Sequence, residues 1–314
     1  MTSTSYDYII VGAGTAGLSL AVRLAQSEAS VLVLEAGVDT TAVQEIQVPG
    51  LFIKNIGHPD RDWAFFSKPQ AHANNREVFL PRGKGIGGSS TLNFMQWNRA
   101  SSWEYDAMES FGMEGWNWKN MLHYFKKSEI VIASNDLQEA TMLKLDPSAH
   151  GTSGPIIVSP PTQISDVHLP FLKGFEELGF PVNQDSSDGD NLGTWTGLVS
   201  IDPAKVTRSS CASAYLTVKT SLSRLEILTG AQVMRIAFAE DSVTGGLAVA
   251  EGVEFTRDGT TQMVTASKEV IVCAGAYQTP QILELSGIGD KHLLNEHGIE
   301  TVVDLPGVGR NLRT

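Results

Sequence analysis

The chain has 314 residues, of which 42% are hydrophobic and 18% charged, an ordinary balance for a soluble globular enzyme and a length at which chains often split into two lobes. Its net charge of -12 comes without any stripe of Lys and Arg, so nucleic acid is not an expected partner and the acidity serves solubility. No segment approaches the ~20 apolar residues of a membrane helix, so no membrane partner is expected either.

The polar stretch Met1 to Asp7 runs directly into a strand and lacks the features of a signal peptide, which predicts a cytoplasmic protein. Tyr6 to Val11 (YDYIIV) is a nearly unbroken β-branched run ending at glycine, as a buried parallel strand does. Thr15 to Gln26 has helical apolar spacing at Leu18, Ala21, Val22 and Ala25, and Ser30 to Leu34 reads as a second buried strand. The three form one βαβ unit of about 30 residues.

Residues 36–80 read as loop. Residues 81–106 hold a glycine-rich stretch followed by a helix, and 103–127 carry aromatics in helical and turn contexts. The polar, Pro- and Gly-broken stretch 131–165 suggests a lobe boundary. Leu169 to Leu178 reads as an amphipathic helix stopped by Gly179. Residues 225–238, 247–256 and 261–266, with a turn signal at Asp258-Gly259, predict a small antiparallel meander. Glu269 to Cys273 then predicts a buried strand, Ala274-Gly275-Ala276 a tight turn, and Pro280 to Leu285 the start of a helix. This late strand-turn-helix implies that the chain re-enters its first sheet.

Gly12, Gly14 and Gly17 spell G-x-G-x-x-G between strand and helix, the context a dinucleotide site requires. Gly12 permits the tight turn, Gly14 lets the backbone approach a pyrophosphate, and Gly17 lets helix pack on strand. The helix start offers free N–H groups and the positive end of a dipole. Glu35 ends the second strand, where a carboxylate can hold ribose hydroxyls and would repel a 2′-phosphate. This motif does not separate FAD from NAD. A second stretch, 81–100 (PRGKGIGGSSTLNFMQWNRA), offers small residues and backbone donors at Gly87, Gly88, Ser89 and Ser90, followed by Asn93, a surface for a flat cofactor or simply a tight turn before a helix. Cys211 and Cys273 form no CxxC pair and read as ordinary thiols.

The second stretch resembles the first signature of the glucose–methanol–choline (GMC) flavin oxidoreductases, through Gly83, Gly87-Gly88, Ser89-Ser90, Leu92, Asn93, Trp97, Ala100 and Asp106. Residues 275–289 (GAYQTPQILELSGIG) resemble the second signature. DWAF at 62–65, HGTSGP at 150–155, RSSCASAYL at 208–216 and LPGVGRNL at 305–312 follow in the family's order. An NAD-dependent Rossmann dehydrogenase has no place for these motifs.

The resemblance implies an α/β fold, a Rossmann-like FAD-binding domain interleaved with an incomplete α+β substrate domain built on an antiparallel sheet. The expected division is 1–155 for the first part of the FAD-binding domain, 156–224 for the partial substrate domain and 225–314 for the return to the FAD-binding domain. The implied activity is hydride transfer from an alcohol-type CH–OH donor, a small molecule, to flavin. By the same resemblance, cofactor contacts are expected at Gly12, Gly14, Thr15, Ala16, Gly17, Glu35, Ala36, Arg82, Gly88, Ser89, Asn93, Phe94, Met95, Gln96 and Val233. Leu92 occupies the position where some relatives attach flavin through histidine, so the FAD is expected to be non-covalent.

Relatives continue past LPGVGRNL into the portion that carries the catalytic histidine. The seven histidines here, His58, His72, His123, His150, His168, His292 and His297, match none of that motif, so no catalytic residue and no metal site is expected. His150 reads as structural. The chain is therefore expected to be a truncated family member. Alternatives are a chain completed by a C-terminal partner or self-associated through an exposed sheet, and an inactive remnant that at most binds FAD.

Overall fold

The computed structural model describes residues 5–219, 222–239 and 248–312. Residues 1–4 of the polar N-terminus, residue 247 of the expected meander, and Arg313 and Thr314 lie outside the described residues. The chain forms two compact units, one of Met1–Val43, Ile53–Leu92 and Cys211–Thr314, the other of Gln44–Phe52 and Asn93–Ser210. These units divide the chain at other points than the boundaries expected near 155 and 224. The stretch 131–165 sits wholly inside the second unit.

The first unit is built on one six-stranded sheet. Its strands in chain order are β1 (Ser5–Val11), β2 (Val31–Glu35), β3 (Leu225–Thr229), β4 (Gln232–Phe238), β5 (Ala250–Arg257) and β6 (Thr260–Val272). The spatial order is β3-β2-β1-β6-β5-β4. Helix α1 (Thr15–Ala25) connects β1 to β2 and buries Leu18, Ala21, Val22 and Ala25, the stripe its spacing predicts. All five residues of β2 are buried, which explains its unbroken apolar run ahead of Glu35. Truncating Leu32 or Leu34 to alanine costs about 2–5 kcal/mol at such sites.

The expected meander is not a separate sheet. Residues 225–229 leave it as β3, which pairs in parallel with β2. Strand β6 is 13 residues long and joins what reads as two strands, 261–266 and 269–273. Its first half pairs antiparallel with β5, through the turn at Asp258 and Gly259 with φ of 50° and 74°. From Thr265 onward it pairs in parallel with β1, with a register shift between Tyr6 and Tyr8. One strand thus changes partners along its length, so the meander extends the parallel sheet. The helix expected from Pro280 begins earlier. Helix α2 spans Gly275–Leu285 with Pro280 inside it. Pro280 is the sixth residue of this helix, so it forfeits the one bond its N–H would make to the Ala276 carbonyl.

The second unit carries the helices Ser102–Ser110, Trp118–Ser128 and His168–Glu177. The last stops at Gly179, φ 90°, close to the predicted end. Its strands are short pairs: Gln96–Trp97 with Leu198–Val199 and Ile201–Asp202 with Thr207–Arg208, both antiparallel, and Glu129–Val131 with Ile156–Val158, parallel. Among the described residues, no helix is long and apolar enough to cross a membrane.

Candidate cofactor site

The first turn of the sheet is shaped by backbone crowding. Gly12 has φ of 99°, and a Cβ there would stand 2.6 Å from the Cys273 carbonyl oxygen. A Cβ on Gly17 would fall 2.0 Å from the Gly12 carbonyl oxygen, so the helix cannot seat with any larger residue. Gly14 differs. Its φ is an ordinary -75°, and the nearest atom to a Cβ there would be Gly88 Cα at 4.0 Å. Its missing side chain leaves open space beside the start of α1, where the first N–H groups have no acceptor inside the helix.

The glycines of the second motif pack against the first. Gly88 has φ of 51°, and its Cβ would meet Gly14 Cα at 2.7 Å. Gly87 N donates to Ala13 O at 2.8 Å. Glu35 fastens both loops: Oε2 accepts from Ala13 N at 2.8 Å, and Oε1 from Gly37 N at 2.9 Å and Gly85 N at 3.0 Å. Burial pushes the Glu35 carboxyl up, against the three N–H groups that favour its charged form. The sequence reading missed this tying role. Its signal was the run of glycines at 83, 85, 87 and 88, whose backbone amides carry no side chain to keep them from a strand-end acid.

Together these loops border one cavity of about 620 Å³ within the first unit. Of the expected cofactor residues, Gly12, Gly14, Thr15, Ala16, Glu35, Ala36, Arg82, Gly88, Ser89 and Val233 line it. Gly17 lies beneath, as packing. The residues Asn93, Phe94, Met95 and Gln96 belong to the second unit and are not among the cavity's lining. There Asn93 Oδ1 accepts from Met95 N at 3.1 Å and from Arg208 Nη1 at 2.8 Å. Phe94 packs on Phe52, Met95 is buried at φ 62°, and Gln96 pairs with Val199.

An aromatic wall was not predicted. Trp63, Phe65 and Tyr277 line the cavity, with Trp63 and Phe65 stacked at 5.8 Å and Phe65 edge-on to Tyr277 at 6.0 Å. The Arg82 guanidinium lies 4.4 Å from the Tyr277 ring centre, and Lys84 Nζ 4.8 Å from that of Trp63. The hints in the sequence were DWAF at 62–65 and Tyr277 within the segment 275–289.

A family model for GMC oxidoreductases matches residues 6–314, nearly the whole chain. The chain belongs to the GMC oxidoreductase family. It is 39% identical to the GMC oxidoreductase family protein Mala s 12 of Malassezia sympodialis over 98% of this chain and 51% of that protein. It is 38% identical to the dehydrogenase mpl7 of Monascus purpureus over 99% of this chain and 50% of that protein. Among solved structures, an FAD-dependent oxidoreductase from Chaetomium thermophilum matches with a TM-score of 0.89 and 36% identity, covering 98% of this chain and 52% of that one. This GMC chain thus spans about half the length of the curated relatives it matches.

A second cluster of ionisable groups lies inside the second unit of the GMC chain. Glu129 accepts from Trp97 Nε1, Arg99 Nη2 and Gly151 N, at 2.7, 2.7 and 3.1 Å. Arg99 also donates to the carbonyls of Ala149 and Ser187. Every member is tied to a neighbour and buried, which suits a structural lock better than a reactive centre. The thiol of Cys211 is buried against the Thr15 carbonyl and pushed up to about 12 by burial, so it is chemically quiet.

Proposed function

We propose that the cavity of the first unit holds the adenine-dinucleotide part of a non-covalently bound FAD, and that the protein oxidises an alcohol-type CH–OH donor. The observation that carries the reading is the open face at Gly14. One glycine of the turn leaves room beside free helix N–H groups, while its neighbours Gly12 and Gly17 are filled by backbone. A diphosphate fits that space, held by the amides of Thr15 and Ala16 and by the dipole of α1. Glu35 Oε2 has a lone pair beyond its bond to Ala13, which suits a ribose hydroxyl. Arg82 supplies positive charge at the wall, and Val233 presents backbone for the adenine. Non-covalent binding is supported by Leu92, a buried hydrocarbon side chain with no nucleophilic nitrogen.

Bound FAD supplies an acceptor for hydride. Hydride leaves an alcohol carbon readily only when a base takes the hydroxyl proton. Among the described residues, no histidine lines the cavity, so we assign that base to none of this chain's seven histidines. The shared half-length with its relatives supports the reading that oxidation needs residues these 314 do not supply, from a longer protein or a C-terminal partner. The expected partners are small molecules, not nucleic acid or membrane, and the expected location is the cytoplasm.

The test is direct. Purified chain titrated with FAD should quench flavin fluorescence at a one-to-one ratio, and acid precipitation should release all flavin into the supernatant. A chain that takes up no flavin overturns the reading, and flavin retained in the pellet overturns its non-covalent part. Alcohols should not bleach the bound flavin in this chain alone.

A further inference from the structure

The aromatic wall of the cavity stands on a residue that does not touch the cavity. Asp62 is 3% exposed, and its carboxylate accepts three backbone N–H groups. Oδ1 takes those of Ala64 and Arg82, at 2.9 and 2.7 Å, and Oδ2 takes that of Gly57 at 2.8 Å. The three donors come from three segments: those of Ala64 and Arg82 flank the antiparallel pairing of Phe65–Phe66 with Phe79–Leu80, and Gly57 lies outside it. Two adjoin cavity-lining side chains directly: Ala64 sits between Trp63 and Phe65, and Arg82 is itself in the lining.

The backbone around Asp62 needs such a fixture. Ala64 has φ of 48°, a left-handed conformation that a non-glycine residue holds only when its surroundings enforce it. That turn sends Trp63 and Phe65 to the same side, stacked with an angle of 4° between their planes. Trp63 N donates to Arg82 O at 2.9 Å and Lys84 N to Arg61 O at 2.8 Å, so the segments 61–65 and 82–84 are locked as a pair. The lock brings Lys84 over Trp63 and leaves Arg82 against Tyr277, donating Nη2 to its hydroxyl at 2.9 Å.

We infer that Asp62 is a positioning residue of the nucleotide site, acting through Trp63, Phe65 and Arg82 to set the wall against which FAD lies. The inference rests on the dinucleotide reading of the cavity. Its physical basis is local. Three N–H groups fill most of the acceptor capacity of one buried carboxylate, and through them Asp62 joins the three segments at one point.

The experiment uses the full chain, with FAD as the probe, and the variants Asp62→Ala, Asp62→Asn and Trp63→Ala. Asp62→Asn keeps an amide oxygen for Ala64 and Arg82 and should bind FAD within about threefold of the parent, while Asp62→Ala should weaken binding roughly tenfold. On a Trp63→Ala background most of that tenfold should vanish, because the wall is already gone. Asp62→Ala binding at parental affinity, or an undiminished effect on the Trp63→Ala background, overturns the inference. A readout without flavin separates it from the cofactor reading. In chain labelled with 5-fluorotryptophan, the Trp63 fluorine resonance, assigned through Trp63→Phe, should move in Asp62→Ala and in Asp62→Asn, which loses the Gly57 bond. If the parent binds no FAD, the cofactor reading fails, and a Trp63 resonance that stays in place in both variants removes the positioning role as well.

Discussion

The Nε2 atom of His150 lies 3.1 Å from Asp185 Oδ2, deep in the second unit, while the opposite ring nitrogen faces Glu129 Oε1 at 3.2 Å. Burial alone would lower the imidazole. The hydrogen bonds and charges of Asp185 and Glu129 outweigh it and lift His150 from 6.5 to about 9. The same contacts, with Arg99, hold both carboxyls below their ordinary values despite burial.

This arrangement predicts an alkaline limit to stability. A histidine raised in the folded state binds more protons there than in the unfolded chain, so its contribution is complete below 6.5 and lost as pH rises through about 9. Urea unfolding between pH 6 and 9.5 should show a loss of up to about 3 kcal/mol. His150→Gln should start less stable and lack that limb. A parent whose stability is flat across this range would show that His150 is neutral. On the acid side the two lowered carboxyls act in the opposite sense, and stability should fall as pH drops through the carboxylate range.

Glu129→Gln tests the same lock from its centre. The substitution keeps the volume but removes the charge that faces Arg99 and His150, and it turns an amide donor toward groups that donate. Breaking one partner of a buried pair costs about 3–5 kcal/mol. Thermal unfolding of the variant should show that loss in the second unit, while FAD binding by the first unit should persist wherever the chain remains folded.

Gly14 and Gly17 of the first turn should fail in different ways. Gly17→Ala drives a Cβ into the Gly12 carbonyl and should cost about 1–3 kcal/mol or prevent folding. Gly14→Ala meets no atom closer than 4.0 Å and should stay within about 1 kcal/mol of the parent. FAD affinity should nevertheless fall at least tenfold for Gly14→Ala, since the methyl enters the space assigned to the diphosphate. Differential scanning fluorimetry beside flavin titration reads both quantities. An unaffected affinity would displace the diphosphate from this turn.

Glu35→Gln should harm both fold and site. One carboxylate oxygen becomes an NH2 group aimed at backbone N–H donors, leaving buried amides unsatisfied at about 1–3 kcal/mol. Melting and FAD affinity should drop together. Affinity lost without any fall in melting temperature would mean that Glu35 serves only the ribose and does not tie Ala13, Gly37 and Gly85.

The sequence by itself determined whatever rests on neighbours in the chain. The runs YDYIIV and SVLVLE, the spacing of Leu18, Ala21, Val22 and Ala25, and the glycines at 12, 14 and 17 each encode one element through local sterics and periodicity. Tertiary structure alone decided which partners those elements take. The sequence reads β6 as two strands, 261–266 and 269–273, and only the assembled sheet shows that one continuous strand pairs with both β5 and β1. The aromatic wall depends on Asp62 meeting Ala64 and Arg82, 18 residues apart, and the lock at His150 on Asp185, 35 residues away. Hydrogen bonds across such separations leave no periodic trace, because their energy depends on a distance that the chain's order does not fix.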